Sequence, residues 1–223
     1  MIVLRLTLTV LGALLLVFLI ACGAYGLSDV AARHAYDVHA SYARVQALKV
    51  DGGDGDVRLT AAPAGSAVVV VEHVTEGLTS PHSEAVRASG GVLRLSADCS
   101  FVFSNSCGAS YSIEVPAGVT VDAHAGGGDV DAHGISARSV TLESGDGDVS
   151  ATLSQAPARL KASSGNGDVT LTVPNMTYAV HASSGNGTVS DNTLRIDPTA
   201  PRMITASSGN GDVTVKAAGA IGR

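Results

Sequence analysis

Aspartates next to paired glycines are the first residues of this sequence whose spacing could support chemistry. The segment Gly52-Gly53-Asp54-Gly55-Asp56-Val57 is similar to the repeats of calcium-binding β-rolls. The period here is about twenty residues, however, and one copy carries Thr188, a poor replacement ligand, where the others carry Asp. Asp side chains also hydrogen-bond backbone N–H groups in turns, so the sequence favours a turn-capping role over a calcium site.

Two pairs of aspartate and histidine could bind a transition metal. Asp122 and His124, then Asp131 and His133, alternate along two strands of one repeat and could converge if those strands lie close together. Pairs of this kind are more typical of a solvated surface. We keep these four residues as metal candidates but expect no metal ion and no cofactor.

The sequence lacks the residue patterns of common catalytic centres. It contains no Gly-x-Ser-x-Gly elbow, no His-Glu-x-x-His motif and no Walker loop. No helical pattern follows the glycine-rich turns, which argues against a dinucleotide site, and no acidic pair stands apart from the turn aspartates. We therefore expect a protein that is not an enzyme.

Residues 1–27 predict a membrane anchor. Leu6–Leu27 is an uncharged run of 22 residues. As a helix it would measure about 33 Å, enough to cross a hydrocarbon core of about 30 Å. The segment Leu19-Ile20-Ala21-Cys22 also resembles a bacterial lipobox, which makes Cys22 a lipidation candidate, and a released signal peptide is the third interpretation. All three place residues 28–223 outside the cytoplasm.

The other two cysteines fit an exported domain. Cys99 and Cys107 stand eight positions apart and form an even pair once Cys22 is assigned to the anchor. Outside the cytoplasm such a pair most simply forms a disulfide that closes a short loop, and two free thiols are the alternative.

A repeat of about twenty residues dominates the rest of the chain. In each of six copies an apolar residue stands nine positions before a valine, with a glycine turn between them. The copies are Leu48–Val57, Val121–Val130, Val140–Val149, Leu160–Val169, Val180–Val189 and Ile204–Val213. The last five valines are separated by 19, 20, 20 and 24 residues. A near-constant period indicates stacked supersecondary units.

Each copy has the pattern strand, glycine turn, strand, because its side chains alternate with period two. Val140 and Leu142 share one face, for example, and Thr141 and Glu143 the other. The chain is therefore predicted to be all-β. We favour a β-solenoid, or β-helix-like stack, whose coils pair in parallel, and a β-sandwich of local hairpins is the alternative.

The turn glycines are predicted to permit positive φ, with Asn or Asp tolerating the left-handed region between them. On this reasoning Gly185→Val would cost several kcal/mol through backbone strain. Stacking would place Asn166, Asn186 and Asn210 one above another. The predicted turn residues are Gly53, Gly55, Asp56, Gly145, Gly147, Asp148, Gly165, Asn166, Gly167, Asp168, Gly185, Asn186, Gly187, Gly209, Asn210, Gly211 and Asp212.

These patterns divide the chain into an anchor at 1–27, a juxtamembrane stalk at 28–47, a repeat domain at 48–216 and a C-terminal tail at 217–223. Residues 61–118 interrupt the repeat. We expect them to cap one end of the stack or to form a side sheet, because the ends of a solenoid must protect an open edge.

Composition excludes several further classes. The 223 residues include 14 Lys and Arg against 20 Asp and Glu, a net charge of −6, which argues against an electrostatic nucleic-acid binder. With 45% hydrophobic and 15% charged residues, the chain is too apolar for intrinsic disorder. The 26 glycines show no Gly-X-Y period, which excludes collagen.

Three motifs together point to a known family. They are the Leu-x-Val-x-Gly-Gly-x-Gly-Asp-Val opening at Leu48, the stretch from Cys99 to Gly118, and the serial Ser-Ser-Gly-Asn-Gly-Asp-Val units. With these, residues 48–216 resemble a bacterial family of candidate adhesins, common in actinobacteria and described as a β-strand-repeat domain of unknown function. The resemblance implies a membrane-tethered, β-solenoid-like ectodomain with no proven activity.

We therefore expect a non-enzymatic, membrane-anchored surface module that contacts the membrane through residues 6–27. Its partner would be an extracellular protein or glycan, and not a nucleic acid. The alternative is a sensory or scaffold ectodomain of an envelope regulatory system.

Overall fold

The computed structural model describes residues 15–20, 34–76, 82–88, 90–98, 108–191 and 193–219. Residues 15–20 are helical, and the other described ranges contain eighteen strands. The strands are β1 (His34–Tyr42), β2 (Ala47–Asp51), β3 (Val57–Ala62), β4 (Val68–Glu76), β5 (His82–Ala88), β6 (Val92–Asp98), β7 (Gly108–Pro116), β8 (Thr120–Ala125), β9 (Val130–Ile135), β10 (Ser139–Ser144), β11 (Val149–Leu153), β12 (Arg159–Ser164), β13 (Val169–Val173), β14 (Thr177–Asn186), β15 (Val189–Ser190), β16 (Arg195–Ile196), β17 (Met203–Asn210) and β18 (Val213–Ala217).

The strands form two nine-stranded sheets that share one core. Sheet A has the order β1-β4-β7-β3-β9-β11-β13-β18-β15, and sheet B has the order β16-β14-β17-β12-β10-β8-β2-β6-β5. Each repeat contributes its first strand to sheet B and its second to sheet A, so one repeat makes one coil of a solenoid. Neighbouring coils pair in parallel and in register, as Val140, Leu160 and Ile204 do. The parallel stack predicted from the repeat is confirmed.

The coils do not all stack in chain order. Strand β17 pairs with β12 on one side and with β14 on the other, and β18 likewise lies between β13 and β15. The last repeat, Ile204–Val213, therefore lies between the two repeats that precede it. Residues 191–202 connect β15 to β17, and their short strand β16 pairs with the outer edge of β14.

The core is a column of small and branched aliphatic side chains. Inward positions alternate with outward ones along the repeat strands, so that Val140 and Leu142 of β10 are buried. Parallel register then stacks like positions, and Leu142, Ala162 and Ala206 form one line of fully buried side chains. Full burial of a Val or Leu side chain contributes about 1.5–3 kcal/mol, so each coil adds its own share of stability.

Antiparallel strands cover the end of the stack formed by β6 and β7. At the edge of sheet A, β4 pairs with β7 and β1 pairs with β4. At the edge of sheet B, β5 pairs with β6. Most of this cap belongs to residues 61–118, the segment expected to cap the stack or form a side sheet. Residues 34–42 differ from the expected stalk, because all nine pair with Val68–Glu76 and form the edge strand β1.

Several sequence expectations concern residues outside the described ranges. These are the lipidation candidate Cys22, the proposed disulfide between Cys99 and Cys107, and most of the apolar run Leu6–Leu27. In the part of the chain that the structure describes, no helix combines the length and apolar character needed to cross a bilayer.

Candidate functional site

The glycine turns stack along one edge of the solenoid and carry a ladder of aspartates. Oδ1 of Asp148 accepts a hydrogen bond from the backbone N–H of Asp168, and Oδ1 of Asp168 accepts one from that of Asp212, both at 2.7 Å. The same bond joins Asp56 to Asp129 and Asp129 to Asp148. Each aspartate therefore caps the turn of the neighbouring coil.

Thr188 lies where this ladder ends, which explains why one copy of the repeat lacks the aspartate. Its backbone N–H donates to Asp212 Oδ1 at 2.7 Å. Among the described residues no further coil stacks beyond the β14–β15 coil, so a carboxylate at 188 would have no neighbouring turn to cap. Hydrogen bonds from the backbone and then the side chain of Thr188 lower the pKa of Asp212.

These contacts give the turn aspartates a structural role, as the sequence favoured. One oxygen of each of these carboxylates, Oδ1, already accepts a backbone hydrogen bond, so it is not free to bind a calcium ion. Among the residues that the structure describes, no group of three or more His, Cys, Asp or Glu side chains is arranged to hold a metal ion.

A second ladder, made of amide side chains, runs beside the first. Asn166 donates to Asp146, Asn210 donates to Asn166, and Asn186 donates to Asn210, with N···O distances of 2.6, 2.7 and 2.6 Å. The three asparagines do stack, as the repeat predicts. Their spatial order is 166, 210, 186, because the last repeat lies between the two repeats that precede it.

Contact between coils, and not positive φ, explains most of the turn glycines. Gly165, Gly185 and Gly209 do not have positive φ, so the predicted reason is wrong for them, although Gly53 does have a φ of 56°. A Cβ on Gly165 would lie 2.2 Å from the carbonyl oxygen of Gly145. Parallel strands stand about 4.8 Å apart, and a side chain directed along the stack has no room at that spacing.

Buried serines complete the turns. Ser144 Oγ donates to the carbonyl oxygen of Gly128 at 2.8 Å and accepts from the N–H of Gly147 at 2.9 Å. Ser164 and Ser208 donate in the same way to carbonyl groups of their neighbouring coils, each at 2.7 Å. The edge of the solenoid is thus held by backbone-directed hydrogen bonds at every level, and its polar groups have structural partners.

The four metal candidates do not converge. Asp122 and His124 lie on β8 in sheet B, whereas Asp131 and His133 lie on β9 in sheet A. Each set alternates with buried residues, so the two sets face outward from different sheets. Asp122 pairs with Lys49 at 2.9 Å. Asp131 pairs with Arg58 at 3.4 Å and accepts a hydrogen bond from Ser150 at 2.5 Å.

The outward face of sheet A carries rows of hydroxyl groups. Ser150, Thr170 and Thr214 are neighbours in register on β11, β13 and β18. Thr152 and Thr172 form a second row two residues further along. Adjacent strands lie about 4.8 Å apart and alternate residues of one strand about 6.6–6.8 Å apart. The two rows therefore form a regular lattice of hydroxyl groups on a rigid sheet.

A Ser-His-Asp arrangement crosses three strands of the cap. Nδ1 of His73 lies 2.6 Å from Oδ1 of Asp37, and Nε2 lies 3.5 Å from Oγ of Ser112. No sequence spacing signals this set, because β1, β4 and β7 are far apart in the chain. The connectivity is that of a hydrolase triad, but the His73 and Asp37 side chains are 49% and 51% exposed on an open sheet face. Such a triad works in a cleft with an oxyanion hole, so we interpret these residues as a surface hydrogen-bond network.

Comparison with known families identifies the architecture. A family model, Toastrack DUF4097, matches residues 29–222, which include every strand of both sheets. This chain belongs to the Toastrack DUF4097 family.

Two solved structures are similar to this chain. A candidate cell adhesion protein from Clostridium sporogenes is 12% identical with a TM-score of 0.52, and the alignment covers 82% of this chain and 100% of that chain. A candidate adhesin from Bacteroides fragilis is 13% identical with a TM-score of 0.37, and the alignment covers 82% of this Toastrack chain and 97% of that chain. The Clostridium structure shows a shared fold. No curated protein matches the chain significantly.

Proposed function

We propose that this Toastrack protein is a non-enzymatic, adhesin-like surface interaction module, held at the cell membrane with its solenoid outside the cytoplasm. The uncharged run Leu6–Leu27 would supply the attachment as a single-pass helix, or lipidation of Cys22 would replace it. The partner would be a glycan or a protein outside the cell.

The hydroxyl lattice of sheet A is the observation that carries this proposal. Thr170 and Thr214 present donors and acceptors at the fixed spacing of the strands, and Ser150, which donates its proton to Asp131, adds an acceptor. The stacked core beneath them is fully buried, so little side-chain or backbone ordering is needed when a partner binds. A repeating polar partner such as an envelope glycan matches a surface that is itself periodic.

Two further observations support the proposal. The structure from Clostridium sporogenes that shares this fold is a candidate cell adhesion protein. The outward face of sheet B carries the ion pairs Lys49–Asp122 and Lys161–Glu143. The hydroxyl rows on the outward face of sheet A consist of uncharged side chains. A fold alone does not fix a function, so the assignment rests on the surface.

Binding of envelope glycan to the purified full-length protein tests the proposal. The variant Thr170→Val/Thr214→Val removes two hydroxyl groups while keeping side chains that favour strands. We expect affinity for cell-wall glycan fragments to fall about tenfold, because two hydrogen bonds at about 0.5–1.5 kcal/mol each are lost. The matched control Thr141→Val/Thr205→Val makes the same change on the outward face of sheet B and should bind as the native protein does.

Other outcomes would contradict the proposal. If both double variants lost the same affinity for glycan, the hydroxyl lattice of sheet A would have no specific role in binding. Absence of glycan binding, together with co-purification of a membrane regulator, would instead favour a sensory or scaffold ectodomain.

The proposed attachment and location have their own tests. Mass spectrometry of the mature N-terminus separates an intact anchor from an acylated Cys22. A C-terminal reporter active only in the cytosol would refute the proposed location.

A further inference from the structure

An open cleft of about 700 Å³ lies at the edge of the solenoid opposite the glycine turns. The connections that enter the strands of sheet B form its walls, and two arginines contribute the charged side chains. The lining of the cleft includes Ser136, Arg138, Gln155, Ala156, Ala158 and Arg202.

The stacking of the coils places the two arginines on one row. Arg138, Ala158 and Arg202 each immediately precede a strand of sheet B, namely β10, β12 and β17. Their backbones are joined along the row, since Arg159 N donates to Arg138 O at 3.1 Å and Met203 N donates to Ala158 O at 3.0 Å. Two coil steps of about 4.8 Å each separate the arginine backbones by about 10 Å. The small Ala158 between them leaves the space that forms the cleft.

The charge of the cleft is opposite to that of the protein. The chain has a net charge of −6, yet the cleft is lined by two arginines and by no Asp or Glu. Neither arginine takes part in any of the four ion pairs found among the described residues. Burial raises the pKa of the neighbouring Tyr178, and the positive charge of Arg202 opposes that rise. Because neither guanidinium group is engaged in one of these ion pairs, both are available to an external anion.

We propose that this cleft binds an acidic saccharide, with Arg138 and Arg202 each holding an anionic group. Guanidinium groups donate paired hydrogen bonds to carboxylate or phosphate oxygens, which makes arginine suited to either anion. The cleft has the volume of a small-molecule site, and Ser136 and Gln155 supply uncharged polar groups for sugar hydroxyls. The site lies apart from the hydroxyl rows of sheet A and does not depend on them.

Isothermal titration calorimetry on the full-length protein tests the site with three probes. Trigalacturonate supplies carboxylates, glucose 6-phosphate supplies a phosphate, and maltotriose supplies neither. We expect at least one acidic probe to bind, with an affinity that falls as salt is added, and maltotriose not to bind. The probe that binds identifies which anion the cleft recognises.

Substitutions locate the binding. Arg138→Ala and Arg202→Ala should each weaken it about tenfold, the effect of losing one charge-assisted hydrogen-bonding group. The control Arg159→Ala removes the same charge one residue from Ala158, on the outward face of β12 beside the cleft, and should leave the affinity nearly unchanged. The proposal is overturned if neither acidic probe binds, if maltotriose binds equally well, or if Arg159→Ala weakens binding as much as the cleft variants. These results leave the glycan assay with Thr170→Val/Thr214→Val as a separate test of the adhesin-like role.

Discussion

Gly165 shows how strictly a single residue can be specified by the coil beside it. Its Cα faces the carbonyl oxygen of Gly145, and Gly209 faces that of Gly165 in turn, at 2.4 Å from an ideal Cβ. The large cost expected for Gly185→Val keeps its direction but changes its cause, since a Cβ there would lie 2.5 Å from the carbonyl oxygen of Gly209. The backbone of the neighbouring coil cannot move aside without breaking its own hydrogen bonds to the coils on either side.

Gly165→Ala should lower the free energy of unfolding by about 2–4 kcal/mol, because the added methyl group clashes with backbone and not with a flexible side chain. Gly127→Ala is the matched control. Gly127 occupies the position where other copies carry Asp or Asn, and its ideal Cβ comes no closer than 3.5 Å to Asp54. Denaturant unfolding of both variants measures the difference, and similar losses would refute the proposed contact between coils.

The carboxylate of Asp212 should make the stability of the end coil depend on pH in the acid range. Its folded pKa is held below the ordinary value of 3.8 by the hydrogen bonds from Thr188, so the unfolded chain takes up its proton first as pH falls. The stabilisation is complete above that ordinary value and is lost as pH falls through the folded pKa. Melting temperatures of the native protein and of Asp212→Asn should therefore converge at the acid end, with only a mild difference at neutral pH. A constant difference across the range would show that this carboxylate contributes nothing through its charge.

At the scale of elements, the order of the last two coils is the least expected feature. The repeats that contain β12, β14 and β17 share the segment Ala-Ser-Ser-Gly-Asn-Gly, so either of the last two could pair with β12. The structure places β17 there. Thr188 is consistent with this order, because the coil without a turn aspartate is the one that has no coil beyond it.

Alanine substitutions in the asparagine ladder test the order of the coils. Asn210 has an amide partner on each side, whereas Asn186 has one, through Nδ2 to Asn210. Asn210→Ala should cost about 1–2 kcal/mol and Asn186→Ala about half of that, at about 0.5–1 kcal/mol for each hydrogen bond. Stacking in chain order would reverse the two values, so thermal or chemical unfolding of the pair decides between them.

Over the whole molecule, the two ends of the stack are protected unequally. Antiparallel strands cover the β6–β7 end, whereas at the other end, among the described residues, only Thr177 and Tyr178 of β14 pair with β16. Val189 and Ile196 are 44% and 46% exposed there. In a stack where each coil contacts only its neighbours, an end coil with one neighbour has fewer stabilising contacts than a central one.

Hydrogen exchange should therefore show a gradient along the stack. Amides of β10, β11, β12 and β13 are expected to exchange slowest, because these strands have a partner on both sides and lie away from both ends of the stack. Amides of β15 and β16, at the edges of their sheets, should exchange fastest. Mass spectrometry of deuterium uptake measures both sets in one experiment. Uniform protection would show that the solenoid opens only as one cooperative unit.

The sequence by itself determined the local architecture. A period near twenty, alternation such as Val140-Thr141-Leu142-Glu143, and a glycine turn in each copy were enough to predict strands, their inward faces and a parallel stack. These features repeat within every unit and need no knowledge of distant contacts. The family resemblance was visible for the same reason.

Only the tertiary structure decided which coils are neighbours and which distant side chains meet. Near-identical repeats carry almost no information about their own order. The sequence pattern therefore did not show that the last repeat lies between the two that precede it. The glycine requirement also arises between coils, at distances such as that from Gly165 to Gly145, and not from the turn itself. Asp37 and His73, or Arg138 and Arg202, come together because strands far apart in sequence share a sheet, and no local spacing records that pairing.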